Sequence, residues 1–134
     1  VLLVNDDPET RTTVSSMLEA IGLDVVHAST TEEALALLAS ASHDLVVVDW
    51  TLRGGSGLDL CKRIRREPAL SGVPVLLLSS QSSSRDIVDA FASGADDFVA
   101  KPLRAPELGA RIFGLLRRAR LTRPSELPTG PSSG

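Results

Sequence analysis

Short apolar runs alternate with longer segments of helical periodicity along nearly the whole chain. Runs rich in Val and Leu predict five strands, at residues 1–4, 24–28, 44–49, 74–79 and 97–100. Segments in which apolar side chains recur every three or four positions predict five helices, at residues 8–21, 30–39, from the turn at 54–57 to 67, from the serines at 82–84 to 94, and 105–121. Strand and helix therefore alternate in five successive units.

The strands of residues 1–4, 44–49 and 74–79 are apolar almost throughout, rather than on alternate positions. That pattern is typical of strands that helices cover on both faces. Alternation of strand and helix favours a parallel sheet with right-handed crossovers. We therefore predict an α/β fold: a flavodoxin-like three-layer α/β/α sandwich with a five-stranded parallel sheet in the order 2-1-3-4-5.

Residues that cap or stop helices lie at the predicted helix ends. Pro8 suits the first turn of the first helix, and Gly22 stops that helix. The segment 30–33, Thr-Thr-Glu-Glu, has the spacing of a capping box. Ser83 and Asp86 repeat that spacing before the fourth helix. The capping signals thus agree with the hydrophobic periodicity.

Composition narrows the class of protein without identifying it. The 134 residues are 43% hydrophobic, which fits a folded globular domain. A net charge of -3 gives no basic footprint for nucleic acid, and the apolar runs are far shorter than the ~20 residues of a membrane span. Cys61 is the one cysteine and cannot form an intrachain disulfide, so a reducing cytoplasm is expected. Abundant Ala, Leu and Arg indicate a bacterial source.

Charged and hydroxyl side chains follow four of the five strands. Asp6 and Asp7 follow the first strand, Asp49 ends the third, Ser79 ends the fourth, and Lys101 follows the fifth. In an open parallel sheet the carboxyl ends of the strands form the ligand-binding edge. Since strands 1 and 3 are neighbours in the predicted order, we expect the three carboxylates to meet at one point.

This set of residue types suits a hard cation and a phosphate. Mg²⁺ takes oxygen ligands, commonly one or two carboxylates with water and phosphate oxygens, and the backbone carbonyl of Thr51 is a further candidate ligand. Lys101 supplies a compact positive charge for phosphate, and Ser79 supplies a hydroxyl donor. An aspartate can itself be the nucleophile and form an aspartyl phosphate.

The chain resembles the receiver domain of a two-component response regulator, of the chemotaxis-regulator type, over residues 1–121. The resemblance rests on the acidic pair after strand 1, Asp49 after strand 3, Ser79 after strand 4 and the Lys101-Pro102 pair after strand 5. It implies Asp49 as phospho-acceptor and Lys101 as the partner of the phosphoryl group. It further implies magnesium held by Asp6, Asp7, Asp49 and the Thr51 carbonyl, and switch roles for Ser79 and Phe98.

The same resemblance implies a signalling switch in a phosphorelay rather than an enzyme with a turned-over substrate. The expected donor is a histidine kinase or a histidine phosphotransfer protein. The surface of the fourth helix, fifth strand and fifth helix is expected to change on phosphorylation and to control an output domain or partner protein. A homodimer through that surface is compatible with the resemblance. Direct binding of nucleic acid and insertion into a membrane are not expected.

Two positions depart from the family pattern and leave an alternative open. Arg53 stands where such domains usually carry proline, and Gly55 stands where they usually carry a hydrophobic residue. We therefore expect a flexible Gly-Gly-Ser-Gly turn at 54–57, and the alternative function is a receiver-like interaction module that does not need phosphate. A magnesium phosphohydrolase with an aspartate nucleophile is disfavoured, because Thr51 stands where those enzymes carry a second aspartate.

Several of the candidate residues also have a purely structural interpretation. Asp7 can cap the first helix, and Phe98 can be a core residue. Lys101 can be a surface residue before a turn. Residues 122–134 are expected to be a flexible tail, and the final Thr-Gly-Pro-Ser-Ser-Gly at 129–134 resembles the remnant of an expression tag.

Overall fold

A computed structural model describes residues 1–52, 55–80 and 83–122, and the side chains of residues 119–122 are left out of the description. Its strands are β1 Leu2–Val4, β2 Val26–Ala28, β3 Val46–Asp49, β4 Thr51–Leu52, β5 Gly55–Ser56, β6 Val75–Ser79 and β7 Asp97–Ala100. Its helices are α1 Pro8–Ala20, α2 Thr31–Ser40, α3 Gly57–Arg66, α4 Ser84–Ala92 and α5 Ala105–Thr122.

The main sheet has five parallel strands in the order β2-β1-β3-β6-β7. Counted along the chain as the five strands of one sheet, that is the order 2-1-3-4-5, so the predicted fold class is confirmed. Strands β1 and β3 lie side by side in the register Val4 opposite Val48. The order of strands reverses at β1 and β3, which is where ligands bind in folds of this class.

Two hydrophobic clusters fill the space between the sheet and its two layers of helices. Alternate side chains of β1, β3 and β6, such as Leu3, Val47 and Leu76, pack against α1 and α5. The intervening side chains, such as Val4 and Val48, pack against α2, α3 and α4. This explains why the central strands are apolar on every position: both of their faces are buried.

The predicted helix caps at Asp7, Thr30 and Ser83 are present, and Ser56 caps α3 in addition. Each of these four side chains accepts a hydrogen bond from the backbone N–H three residues later. A reciprocal capping box is formed at Ser83, as the sequence predicted. At the start of α2 the box is modified, because the Glu33 carboxylate accepts from the backbone N–H of Ser29.

The segment after β3 differs from the prediction of a flexible turn. Thr51–Leu52 and Gly55–Ser56 pair as a short antiparallel hairpin, and α3 begins directly at Gly57. Arg53 and Gly54, which the sequence singled out, lie outside the described residues, as does the predicted tail from residue 123 onward. Within the described ranges, none of the helices has the length and apolar character needed to cross a membrane.

Candidate functional site at the carboxyl edge of the sheet

Asp49 is a buried carboxylate at the carboxyl end of the central strand. It is 5% exposed and is paired in register with Leu78 of β6. Its neighbour across the sheet follows from the pairing of Val4 with Val48, because the next residue of each strand, Asn5 and Asp49, must then lie side by side. A charge at this depth is stable only if hydrogen-bond donors surround it.

Three donors from separate segments of the chain reach the Asp49 carboxylate. The Lys101 ammonium lies 2.6 Å from Oδ2, and the Asn5 side-chain amide donates to the same oxygen at 2.7 Å. The backbone N–H of Thr51 donates to Oδ1 at 3.3 Å. Sequence analysis predicted the approach of Lys101, and the structure places it there through the parallel pairing of β6 with β7 and the bond from the Lys101 N–H to the Ser79 carbonyl, 2.7 Å.

Asn5 is a site residue that sequence analysis missed. It is 1% exposed, its side-chain oxygen accepts from the backbone N–H of Asp7 at 2.6 Å, and its carbonyl accepts from Arg11 at 2.8 Å. A signal was available in the sequence: Asn5 and Asp49 are each the first polar residue after a run of four apolar ones. Because both strands end at the same edge of a parallel sheet, this pattern indicates that Asn5 and Asp49 are neighbours.

Asp7 points to the start of α1 rather than to Asp49. Its Oδ2 accepts from the Thr10 hydroxyl at 2.6 Å and from the Thr10 backbone N–H at 3.2 Å. These bonds, with a smaller contribution from the Lys101 charge, hold the pKa of Asp7 below its ordinary value of 3.8. The sequence predicted three converging carboxylates; instead, one of them caps a helix, and its role as a metal ligand stays a prediction.

Asp6 lies half-buried between Asn5 and Asp7 at the end of β1, and Thr51 is exposed at the start of β4. Within residues 1–52, 55–80 and 83–122, no three carboxylate, histidine or cysteine side chains form a cluster that could hold a metal ion by themselves. A cation at Asp49 would therefore need further oxygen ligands from the backbone, from water or from a phosphate group.

The two predicted switch residues are both buried. Ser79 is 1% exposed at the end of β6, and Phe98 is 9% exposed in the cluster between the sheet and α2, α3 and α4. The Phe98 side chain is turned inward in this structure, and the switch roles of Ser79 and Phe98 stay predictions.

The junction of the hairpin with α3 explains why a glycine follows the acceptor at position 57. The Gly57 N–H donates to the Trp50 carbonyl at 2.7 Å, and a Cβ atom at Gly57 would overlap the Asp49 carbonyl oxygen. Residue 57 is thus packed against the backbone of the site itself. Only glycine allows that approach without moving β3.

Comparisons with known proteins agree with this geometry. The family model described as the response regulator receiver domain matches residues 1–113. The phosphate regulon transcriptional regulatory protein PhoB of Rhizobium meliloti is 36% identical over 120 residues, which are 90% of this chain and 53% of PhoB. The chain thus spans about half the length of the curated relatives it matches.

Solved structures share the fold over most of the chain. A response regulator from Chloroflexus aurantiacus is 33% identical with a TM-score of 0.84, over 87% of this chain and 96% of that one. The receiver domain of a signal transduction histidine kinase from Syntrophus aciditrophicus is 30% identical with a TM-score of 0.83, over 97% and 96%. The family match, the relatives and the sheet order lead to one conclusion: the chain belongs to the response regulator receiver domain family.

Proposed function

We propose that this receiver domain takes a phosphoryl group on Asp49 from a phosphohistidine of a histidine kinase or histidine phosphotransfer protein. The observation that carries the proposal is the ion pair of buried Asp49 with Lys101 at the ligand-binding edge of the sheet. Lys101 and Asn5 hold the carboxylate in place and it is only 5% exposed, yet it lies at the end of its strand where a donor group can reach it. An ion pair with a purely structural role has no need to lie at the ligand-binding edge of the sheet.

The chemical step is a phosphoryl transfer between two nucleophiles. A carboxylate oxygen of Asp49 attacks phosphorus, so an O–P bond forms while the P–N bond to the donor imidazole breaks. The electron pair of the broken bond stays on the imidazole nitrogen, and Asp49 has no proton to lose because it attacks as the carboxylate. Lys101, which pairs with Asp49 beforehand, moves with its charge toward the phosphoryl oxygens.

The donor set at this edge fits Mg²⁺. Asp49, Asp6 and the Thr51 carbonyl are oxygen donors, and Mg²⁺ typically combines one or two carboxylates with water and phosphate oxygens. Asp7 fits this role less well, because its carboxylate caps α1. When bound, the ion would neutralise charge on the phosphoryl oxygens in the transition state.

A small cavity beside the ion pair supports the approach of a protein donor from the α1 side. Its volume is about 280 Å³, and its lining comes from the start of α1 and the segment after β7: Glu9, Thr10, Thr13, Lys101, Pro102 and Leu103. Because Lys101 belongs both to this lining and to the ion pair, a phosphohistidine presented here would be next to the acceptor.

The proposed output surface comprises α4, β7 and α5. It carries exposed apolar side chains, Val88, Phe91 and Phe113, and an ion pair of Arg111 with Asp97 at 3.1 Å. A phosphoryl group on Asp49 would attract the side chains of Lys101 and Ser79 at the adjacent strand ends. Their movement would shift this surface from one of two arrangements to the other. An output domain or a second copy of the chain is the proposed partner there.

Intact-mass spectrometry after incubation with acetyl phosphate tests the proposal. We expect one phosphoryl adduct on the wild type in Mg²⁺, no adduct with a chelator, and none on Asp49→Asn. Asp44→Asn, an exposed aspartate before β3, is the matched control and should be labelled like the wild type. A wild type that is never labelled would instead favour the phosphate-independent interaction module.

A further inference from the structure

Both polar atoms of the Asn5 side chain, Nδ2 and Oδ1, are hydrogen-bonded. The amide donates to Asp49 Oδ2 at 2.7 Å, and the side-chain oxygen accepts from the Asp7 N–H at 2.6 Å. The residue is 1% exposed, so solvent does not replace these bonds. Asn5 therefore links the acceptor strand β3 to the first turn of α1.

The charge of residue 5 affects the stability of the site, because this side chain contacts the Asp49 carboxylate. A carboxylate there could not donate to Asp49, and two buried carboxylates would face each other at hydrogen-bond distance. Such a pair is stable only with a proton or a cation between them. With the neutral amide, the one charge of Asp49 is matched by Lys101 at 2.6 Å.

We propose that Asn5 is a positioning residue that holds Asp49 ready for attack and makes the acceptor site stable without a divalent cation. The inference deepens the proposed function, since it concerns the same carboxylate. Residue 5 sets how strongly the fold depends on that cation.

Asn5→Asp tests the charge part, because it changes the charge and keeps the shape. The melting temperature is measured with a chelator and with Mg²⁺ at equal ionic strength. We expect the rise caused by Mg²⁺ to exceed that of the wild type by at least about 4 °C. The matched control is Ser16→Asp, which adds the same charge on the exposed side of α1 and should respond to Mg²⁺ as the wild type does.

A second readout is the fluorescence of Trp50, the single tryptophan of the chain and the neighbour of Asp49. In a titration with Mg²⁺, Asn5→Asp should reach its midpoint at a concentration about tenfold lower than the wild type, because a carboxylate is added beside the cation. A midpoint and a melting temperature that respond to Mg²⁺ as in the wild type would overturn the proposal.

Asn5→Ala tests the positioning part and keeps the proposal falsifiable if Asn5→Asp does not fold. Labelling by acetyl phosphate at saturating Mg²⁺ should be about tenfold slower than in the wild type, while the Mg²⁺ midpoint moves by less than about twofold. An unchanged labelling rate overturns the positioning role. Failure of the wild type to be labelled would count against the proposed function instead, since the melting and fluorescence measurements need no phosphorylation.

Discussion

The Asp49 carboxylate depends on donors from three places in the sequence. Lys101, Asn5 and the Thr51 N–H come from different segments and meet only in the folded chain. A buried charge that loses its partner is strongly destabilising, by about 3–5 kcal/mol, because the remaining charge is left uncompensated. The residues proposed to orient Asp49 for phosphoryl transfer are therefore also those that make its burial tolerable.

The adjacent acids Asp6 and Asp7 should respond differently to neutralisation. Asp7→Asn should leave the midpoint of a Mg²⁺ titration, followed by Trp50 fluorescence, within about twofold of the wild type, because Asn caps a helix as well as Asp does. Asp6→Asn should weaken Mg²⁺ binding about tenfold, since it removes a ligand beside the cation. Equal weakening by both variants would support the prediction that Asp7 is a metal ligand.

The sequence correctly predicted Asp49 and Lys101 as neighbours. It did not predict that Asn5 donates to Asp49 while Asp7 caps α1. Strand ends in a parallel sheet share one edge, so the position of a residue at a strand end is readable from the apolar runs. Whether Asp7 turns to the site or to its own helix depends on the bond with Thr10, one turn further on. In the structure the Asp7 carboxylate caps α1 instead of joining Asp49, and the pattern of charges along the sequence does not reveal which of the two it does.

Gly57→Ala should disturb the acceptor strand directly. A methyl group there overlaps the Asp49 carbonyl oxygen and lies 3.0 Å from the Leu77 side chain, so the backbone has to move. We expect a loss of about 1–3 kcal/mol in the free energy of unfolding, measured by urea denaturation, and slower labelling by acetyl phosphate.

The matched control is Gly72→Ala, because a Cβ atom at Gly72 has nothing within 4 Å. Its stability should stay within about 0.5 kcal/mol of the wild type. If both glycine variants are equally stable and equally labelled, the close approach of Gly57 to Asp49 does not exist in solution.

At the scale of whole elements, Arg65 joins α3 to the two turns that precede β6 and β7. Its guanidinium donates to the carbonyls of Gly94, Ser71 and Val73 at 2.8, 2.9 and 2.7 Å and pairs with Asp96 at 2.6 Å. These contacts are on the opposite edge of the sheet from Asp49. They hold the amino-terminal ends of β6 and β7, and Ser79 and Lys101 lie at the carboxyl ends of the same two strands.

Arg65→Met keeps the apolar stem of the side chain and removes the charged donors. We expect it to lower the free energy of unfolding by about 2–4 kcal/mol, because several carbonyls and the Asp96 carboxylate lose a charged partner. Urea denaturation gives the measurement. Arg66→Met, at the next position on the exposed side of α3, should change stability by less than about 0.5 kcal/mol, and equal losses in the two variants would contradict the role of Arg65.

Element type followed from the sequence more reliably than element boundaries did. The main strands and all five helices were predicted because apolar side chains repeat with clear periods. The antiparallel pairing of β4 with β5 was not predicted, since Gly55 and Ser56 carry no apolar alternation. Short pairs of this kind leave no periodic signal.

For the whole molecule, the layered fold supplies one edge of the sheet where Asp49, Asn5 and Lys101 meet, and the proposed output surface is that of α4, β7 and α5. Domains of similar fold belong to a response regulator and to a signal transduction histidine kinase. The receiver fold therefore does not determine the kind of output that follows it. The account therefore depends first on the chemistry of Asp49.

The most direct test is to locate the phosphoryl group. The protein labelled with acetyl phosphate in Mg²⁺ is reduced with borohydride, which converts an acyl phosphate to an alcohol, and its peptides are sequenced by mass spectrometry. The account predicts homoserine at position 49 and unmodified aspartate at Asp6 and Asp7. Homoserine at any other aspartate, with Asp49 intact, would contradict it.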